Sequence, residues 1–323
     1  MFDNRRWELP EELGGKKPEP KHELTLWKAC ELFLRYPDIK DSPGRWRHEI
    51  ALGHIVAHFG KDSAVKGLRI PELKAYRAAR LSAGMKPSSV NRELAALSRM
   101  FAVLVELQLV DVNPCRLVKR LSEKASQRQS YISHEDFLRI LDVCRDWYKP
   151  IIQVAYYAGM RRGEILGLKR HHMKLGRRMI LLGPESTKEK DFKRVPIRHE
   201  LIPVFEQAMR VTTIGDDHVF LMSDRKGIRP VNVEACKNPW RRRISKLGFE
   251  NRPRLHDMRH TWRANARRSG MDPMIAETIL GHWNREKSVN ERYGRLSDEE
   301  LLRAVDSMTF DHGPTEILVA QGG

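Results

Sequence analysis

Between Ser122 and Ser130 the chain passes through nine residues, SEKASQRQS, in which Ala125 is the only apolar side chain. Such a stretch has nothing to bury and does not belong inside a packed core. It therefore divides the sequence, and the patterns on its two sides differ. Before it, apolar residues recur at helical spacing from about Leu24 to Leu121. After it, helical patterns alternate with short strand-like runs. The expectation is a mostly α protein: an all-helical unit over 23–121, a linker over 122–130, and an α+β unit over 131–310 with a small β-sheet. Residues 1–22, with Gly14-Gly15, Pro18 and Pro20, are expected to form a flexible arm, and 311–323 a tail. A chain of 323 residues suits two domains.

In the first unit the clearest helix is expected from Ser89 to Leu109. Val90, Leu94, Leu97, Phe101 and Leu104 follow at steps of 4, 3, 4 and 3, and Val105 widens the stripe. Ser88 and Ser89, after Pro87, offer caps at its start, and Asn113-Pro114 ends it. Arg92 and Arg99 project from the opposite face, as a solvated helix back or as contacts to phosphates.

In the second unit Ser133 caps a helix, with Asp136 three residues on. Helical pattern covers about Asp136–Tyr148, Ile151–Tyr157, Arg161–His172, Val231–Leu247, His256–Arg268 and Pro273–Leu280. Met179–Leu182 and Lys193–Ile197 read as the strands of a β-hairpin around the polar loop 185–191. His218–Leu221 is a short apolar segment. Asp272-Pro273 is a helix start and Gly281 a stop. Ser297–Met308 is a capped helix with Leu301, Leu302 and Val305 on one side.

Composition narrows the partner. Lys plus Arg outnumber Asp plus Glu 59 to 42, a formal net charge of +17. Residues 1–120 hold 22 basic and 15 acidic side chains, so the excess is spread over both units. A polyanion touching both is the economical reading. The 41% hydrophobic content excludes a disordered chain. No apolar run reaches the length of a membrane helix, and the start, Met1-Phe2-Asp3-Asn4-Arg5-Arg6, lacks the apolar core of a secretory signal. Cys30, Cys115, Cys144 and Cys236 are too far apart for a zinc knuckle or a redox pair, which fits a reduced, cytoplasmic compartment.

Three clusters in the second unit could carry chemistry. In Ala158-Gly159-Met160-Arg161-Arg162-Gly163-Glu164, an arginine opens a helix after a Gly-containing turn, where free backbone N–H groups favour an anion. Glu164 lies three residues on and either orients the Arg161 fork or makes an ordinary surface ion pair. In Leu255-His256-Asp257-Met258-Arg259-His260, His256 and Arg259 share a helix face, again as a site or as part of a solvated basic helix. Leu280-Gly281-His282-Trp283 precedes Glu291-Arg292-Tyr293-Gly294. A histidine past a helix end is commonly a dipole contact, and a lone tyrosine commonly packing.

Their order and spacing say more than any one of them. Together they resemble the tyrosine recombinases, or phage-type integrases, which carry a Gly-x-Arg turn, a hairpin lysine, a His-x-x-Arg pair, a Leu-Gly-His and then a tyrosine. The helical first unit resembles that family's core-binding domain, and the second its catalytic domain. The resemblance implies Arg161 as the first arginine with Glu164 supporting it, His256 and Arg259 as the pair, His282 as the second histidine and Tyr293 as the nucleophile. Thr187–Ile197 resembles the lysine hairpin leading into Val-Pro-Leu. Lys188, eight residues before Pro196, takes the lysine position, with Lys190 as the alternative. The eleven-residue step from His282 to Tyr293 is longer than in many relatives, which implies a small insertion around 284–287. Asn91, Arg92 and Arg99 are the candidate DNA contacts of the helical unit.

The implied activity is site-specific recombination of double-stranded DNA through a covalent 3′-phosphotyrosine, with no metal, ATP or other cofactor. Tyrosine, with a pKa near 10, is about 0.1% ionised at pH 7, so it needs a base or a strong positive field. His256 would be the base. Arg161, Arg259 and His282 would hold the non-bridging oxygens, and Lys188 would protonate the leaving 5′-oxygen. The resemblance further implies a clamp of two domains on DNA and a homotetramer joined by exchanged C-terminal segments. The Ser297–Met308 helix suits that exchange, or a fold back onto its own domain. Integration or excision of a mobile element is the expected task. The competing readings are a type IB-like topoisomerase and a non-catalytic DNA-binding regulator.

Overall fold

A computed structural model describes residues 24–123, 131–188, 190–211, 216–225, 227–281 and 296–310. The chain divides into two compact units, 1–128 and 129–323, each with its own hydrophobic core. The expected arm, most of the 122–130 linker and the 311–323 tail lie outside the described residues.

The first unit is helical. Its α-helices are α1 (Leu26–Arg35), α2 (Pro37–Lys40), α3 (Arg45–Phe59), α4 (Ile70–Ser82) and α5 (Pro87–Glu106). The stripe on α5 forms the core floor: Val90, Leu94, Leu97, Phe101 and Leu104 are all buried against residues such as Phe33, Leu52, Ile55 and Leu73. Three details differ from the sequence expectation. Lys86 is the N-cap and makes no side-chain bond, because Pro87 already occupies the first helical position and presets its backbone. The stripe widens through Ala96, Met100 and Val103, while Val105 is exposed. The helix ends at Glu106, before Asn113, and Gln108 turns the chain with φ +56°. Asn113 instead caps the turn Pro114–Leu117 through Cys115 N–H (3.1 Å) and ties it to Ser98 O (2.8 Å).

A buried polar tie joins α4 to α5. Glu93 accepts from Tyr76 Oη (2.7 Å) and from Arg80 Nε (2.9 Å) and Nη2 (2.6 Å). Burial alone would raise the Glu93 pKa, but the arginine fork and the phenol outweigh it and hold it below the ordinary carboxylate value.

The second unit begins with α6 (His134–Val143), capped by Ser133 on Asp136 N–H (3.0 Å). Then come α7 (Lys149–Tyr157) and α8 (Arg162–Leu166), and strands β1 (Met173–Lys174), β2 (Met179–Leu182) and β3 (Lys193–Pro196). The strands form one antiparallel sheet in the order β1-β2-β3, with Leu182 opposite Lys193 and Ile180 opposite Val195. Helix α9 (Ile202–Arg210), a second hairpin of β4 (Leu221–Asp224) and β5 (Gly227–Pro230), and helices α10 (Val233–Ile244), α11 (Leu255–Arg268), α12 (Pro273–Leu280) and α13 (Asp298–Asp306) follow.

Helix α11 packs on α7 at the centre of this unit. Trp262 is fully buried there and donates from Nε1 to Tyr157 O (3.1 Å), so the indole fills space without stranding its N–H. The predicted helix over Arg161–His172 shrinks to the five residues of α8, because Gly163 and Gly167 give it little helix propensity and Leu168–Arg170 pair instead with Asp217–Val219. The β4–β5 hairpin was not anticipated, and Val219 and Phe220 lead into it as core residues.

Helix α13 folds back on its own unit. Its capping box is Ser297 with Glu300, and Leu301 and Val305 are buried. Arg194 bonds Asp298 (2.9 Å), Arg178 grips Asp306 through both nitrogens (3.0 and 2.6 Å), and Arg198 donates to Val305 O and Met308 O at the helix end (2.6 and 2.7 Å). The four cysteines are buried and free of disulfides. No helix of the described residues is long and apolar enough to cross a membrane.

Candidate functional site

The site is built where α7 ends. Gly159 turns the chain with φ +61°, and a Cβ there would sit 2.8 Å from two ring carbons of Trp262. Only glycine fits such a left-handed turn against an indole. The turn delivers Arg161 as the extended N-cap of α8. Its backbone N–H is taken by Glu164 Oε2 (3.0 Å), so the anticipated open amide has a partner, and its Nη1 is held by Glu164 Oε1 (2.9 Å). Glu164 is buried and Arg161 is 17% exposed at its side chain, which makes this a built pair rather than a surface contact.

Arg259 is 4% exposed on α11. Its Nη1 donates to Gly159 O (2.8 Å) and its Nη2 to Leu280 O (2.7 Å). Leu280 O lies in the last turn of α12, where backbone acceptors lack intrahelical donors and the dipole favours a cation, and Gly159 O lies in the turn just past α7. One guanidinium thereby joins the turn before Arg161, the His256-x-x-Arg259 helix and the Leu280-Gly281 turn. Asp272 caps α12 through Met274 N–H (2.6 Å), and Gly281 ends it with φ +69°.

His256 lies on the exposed side of α11, its ring edge-on to His260 with centroids 4.8 Å apart. Burial, then the neighbouring His260 and Arg259, and more weakly Arg161, push its pKa below the ordinary histidine value, so the neutral ring is favoured at pH 7.

The hairpin loop is pinched by Thr187, whose hydroxyl donates to Asp191 O (2.7 Å) and accepts from Asp191 N–H (3.0 Å). Lys188 and Lys190 are both exposed on this loop, and Lys190 has a positive φ of 53°. The residue that sequence reasoning passed over is Lys193. Its Nζ lies 2.6 Å from Glu164 Oε2, and its side chain is 3% exposed. Strand alternation was the available signal: Lys193 shares a face with Val195, which is core.

His282 and Tyr293 lie outside the described residues. In the first unit Arg92 and Arg99 are exposed on α5. Asn91 differs from them: it is buried, and its amide bonds Leu121 O (3.0 Å), Glu123 Oε1 (2.7 Å) and Leu121 N–H (2.9 Å), which anchors the segment leaving the unit. Among the described residues no group of three or more His, Cys, Asp or Glu is placed to hold a metal ion.

The sequence and the fold are similar to those of known proteins. Residues 45–122 match the phage integrase N-terminal domain. The integrase of Salmonella phage P22 is 24% identical over 241 residues, covering 69% of this chain and 59% of that protein's length. The tyrosine recombinase XerC of Escherichia coli O1:K1 is 24% identical over 298 residues, covering 87% of this chain and 96% of that one. The fold is similar to that of the lambda integrase chain in a structure of a lambda integrase dimer bound to a COC′ core site, with TM-score 0.67 at 14% identity over 85% of this chain and 80% of that one. The phage integrase family matches residues 130–300, more than half the sequence and all of the arginine, histidine and hairpin motifs, and the chain belongs to that family of site-specific DNA recombinases.

Proposed function

We propose that this recombinase cleaves and rejoins DNA through a covalent 3′-phosphotyrosine on Tyr293, with mobile-element integration or excision as its task in a prokaryotic cytoplasm. Supporting this is the bridge made by Arg259, which ties the Arg161 turn, the His256 helix and the Leu280-Gly281 turn at one point. Around that point stand two guanidinium groups, and a neutral imidazole three residues before Arg259 on the same helix.

A phosphodiester gains negative charge as it becomes pentavalent. Arg161 and Arg259 supply fixed donors for its non-bridging oxygens, and such preorganised charge commonly carries most of the rate enhancement. His282 adds a donor. His256, kept neutral, takes the Tyr293 proton as the phenol oxygen attacks phosphorus. Lys188 on the hairpin gives a proton to the departing 5′-oxygen. The phosphate ester retains the bond energy, so a 5′-hydroxyl of another strand reseals it without ATP. Arg92 and Arg99 on α5 meet backbone phosphates, and the working assembly is a homotetramer on two DNA sites.

The test is a nicked suicide substrate. The wild-type chain should form a denaturation-resistant DNA adduct, and Tyr293→Phe should form none. Relaxation of supercoiled DNA without partner sites, with no joint recombinant product, would favour a topoisomerase. Unchanged behaviour of Tyr293→Phe would favour a DNA-binding regulator.

A further inference from the structure

We propose that Lys193 is a positioning residue for strand cleavage: its ammonium clamps Glu164 while its stem rests on Gly281, which fixes the Arg161 guanidinium and keeps its charge available to the DNA phosphate. The proposal rests on the recombinase reading of the same site.

Lysine is almost never fully buried without a partner. Here the partner is a carboxylate already engaged by Arg161. Glu164 Oε1 bonds Arg161 Nη1 (2.9 Å), while Oε2 is shared by Lys193 Nζ (2.6 Å) and Arg161 N–H (3.0 Å). Stability alone gives no reason for this arrangement, since an apolar side chain of similar volume commonly does as well as a buried ion pair. Charge does give a reason. Arg161 and Glu164 by themselves are a neutral pair. With Lys193 the group of three carries one net positive charge, and the carboxylate is drawn partly away from Arg161.

The stem completes the device. A Cβ on Gly281 would lie 3.1 Å from Lys193 Cδ and 3.4 Å from Cε, so the lysine passes directly over the turn that precedes His282. Lys193 begins β3, the strand leaving the loop that holds Lys188. One side chain thereby links the hairpin, the Arg161 pair and the Leu280-Gly281 turn.

Among the described residues, the charged groups facing Lys193 are Glu164 and Arg161 at the start of α8 and Arg259 of α11. Arg194, the next residue, points the other way and meets Asp298 of α13. Burial lowers the Lys193 pKa, Glu164 opposes that, and Arg259 and Arg161 add to it, leaving it pulled down to about 8. Glu164, with two cations beside it, stays below the ordinary carboxylate value despite its own burial.

The experiment measures adduct formation on the nicked substrate by the full chain across pH 6.5–9.5, with gel-shift binding alongside. Lys193→Met keeps the stem and removes the charge. It should bind DNA as the wild type does but cleave roughly ten to a hundred times more slowly, as when other orienting partners are lost. Lys193→Arg should recover most of the rate and keep it above pH 8, where the wild type declines, because guanidinium does not lose its proton there. Wild-type cleavage by Lys193→Met overturns the proposal, as does the wild-type alkaline decline in Lys193→Arg. Should Lys193→Met fail to melt cooperatively, the pH profile of Lys193→Arg decides alone. A wild-type chain that forms no adduct contradicts the recombinase reading itself, a separate result.

Discussion

Arg259 and Gly159 stand a hundred residues apart in sequence, yet the guanidinium Nη1 of one donates to the carbonyl of the other at 2.8 Å. Lysine keeps the charge but has no fork to span Gly159 O and Leu280 O together. Arg259→Lys should therefore bind DNA nearly normally while cleaving roughly a hundredfold more slowly, the scale of a lost preorganised donor. Its catalytic unit should also lose about 1–3 kcal/mol, the cost of a buried acceptor left unsatisfied. Suicide-substrate kinetics and thermal melts check both, and an unchanged rate would remove Arg259 from the chemistry.

Gly159→Ala tests the turn beneath Arg161. The added Cβ meets Trp262 at 2.8 Å and Leu280 Cδ2 at 3.1 Å in a left-handed backbone. Strain and overpacking together should cost about 2–3 kcal/mol. A melting temperature equal to wild type would mean the turn relaxes freely.

As the proposed base, His256 should set the acid side of the rate profile. Its folded pKa lies below the ordinary value of 6.5, so the unfolded chain binds the proton more readily. The neutral ring's contribution to stability is present above pH 6.5, and both that contribution and the base are lost as pH falls through the lower folded pKa. Adduct formation should hold steady from pH 7.5 down to 6.5 and then decline. A decline centred above pH 7 would exclude a depressed histidine as the base.

In the first unit, Glu93→Leu removes the shared acceptor of Arg80 and Tyr76. Breaking one side of a buried pair costs about 3–5 kcal/mol. The wild-type Glu93 pKa is depressed, so its contribution is present above the ordinary carboxylate value and lost as pH falls below it. Thermal melts at pH 7 and pH 4 should show a smaller gap between variant and wild type at the lower pH. An equal gap at both would mean the carboxylate charge contributes nothing there.

Cleavage should persist in EDTA, because in the proposed mechanism Arg161, Arg259 and the hairpin lysine supply the positive charge that a divalent ion provides elsewhere. Strict magnesium dependence would contradict that assignment.

Long periodic elements were legible in the sequence. The α5 stripe, the β2–β3 hairpin, and the Asp272 start and Gly281 stop of α12 follow from spacing and from Gly and Pro chemistry. What escaped is short or decided by distant partners. Two residues, Met173-Lys174, are too few to alternate, and β4–β5 is mostly exposed with Pro230 at its end, so neither carried a strand signal. Arg161 and Glu164 were recognisable as a pair, but Lys193 was masked by the lysines of the adjoining loop. Its meaning depends on a strand phase that only Val195 and Pro196 reveal. Asn91 looked like a contact beside Arg92, and its burial comes from Leu121, thirty residues on.

The most direct measurement is mass-spectrometric peptide mapping of the adduct trapped on a nicked substrate. The predicted result is a nucleotide 3′-phosphate on the peptide containing Tyr293, attached at the phenol oxygen. Nucleotide found on any other side chain, or strand cleavage with no attachment at all, would contradict the account.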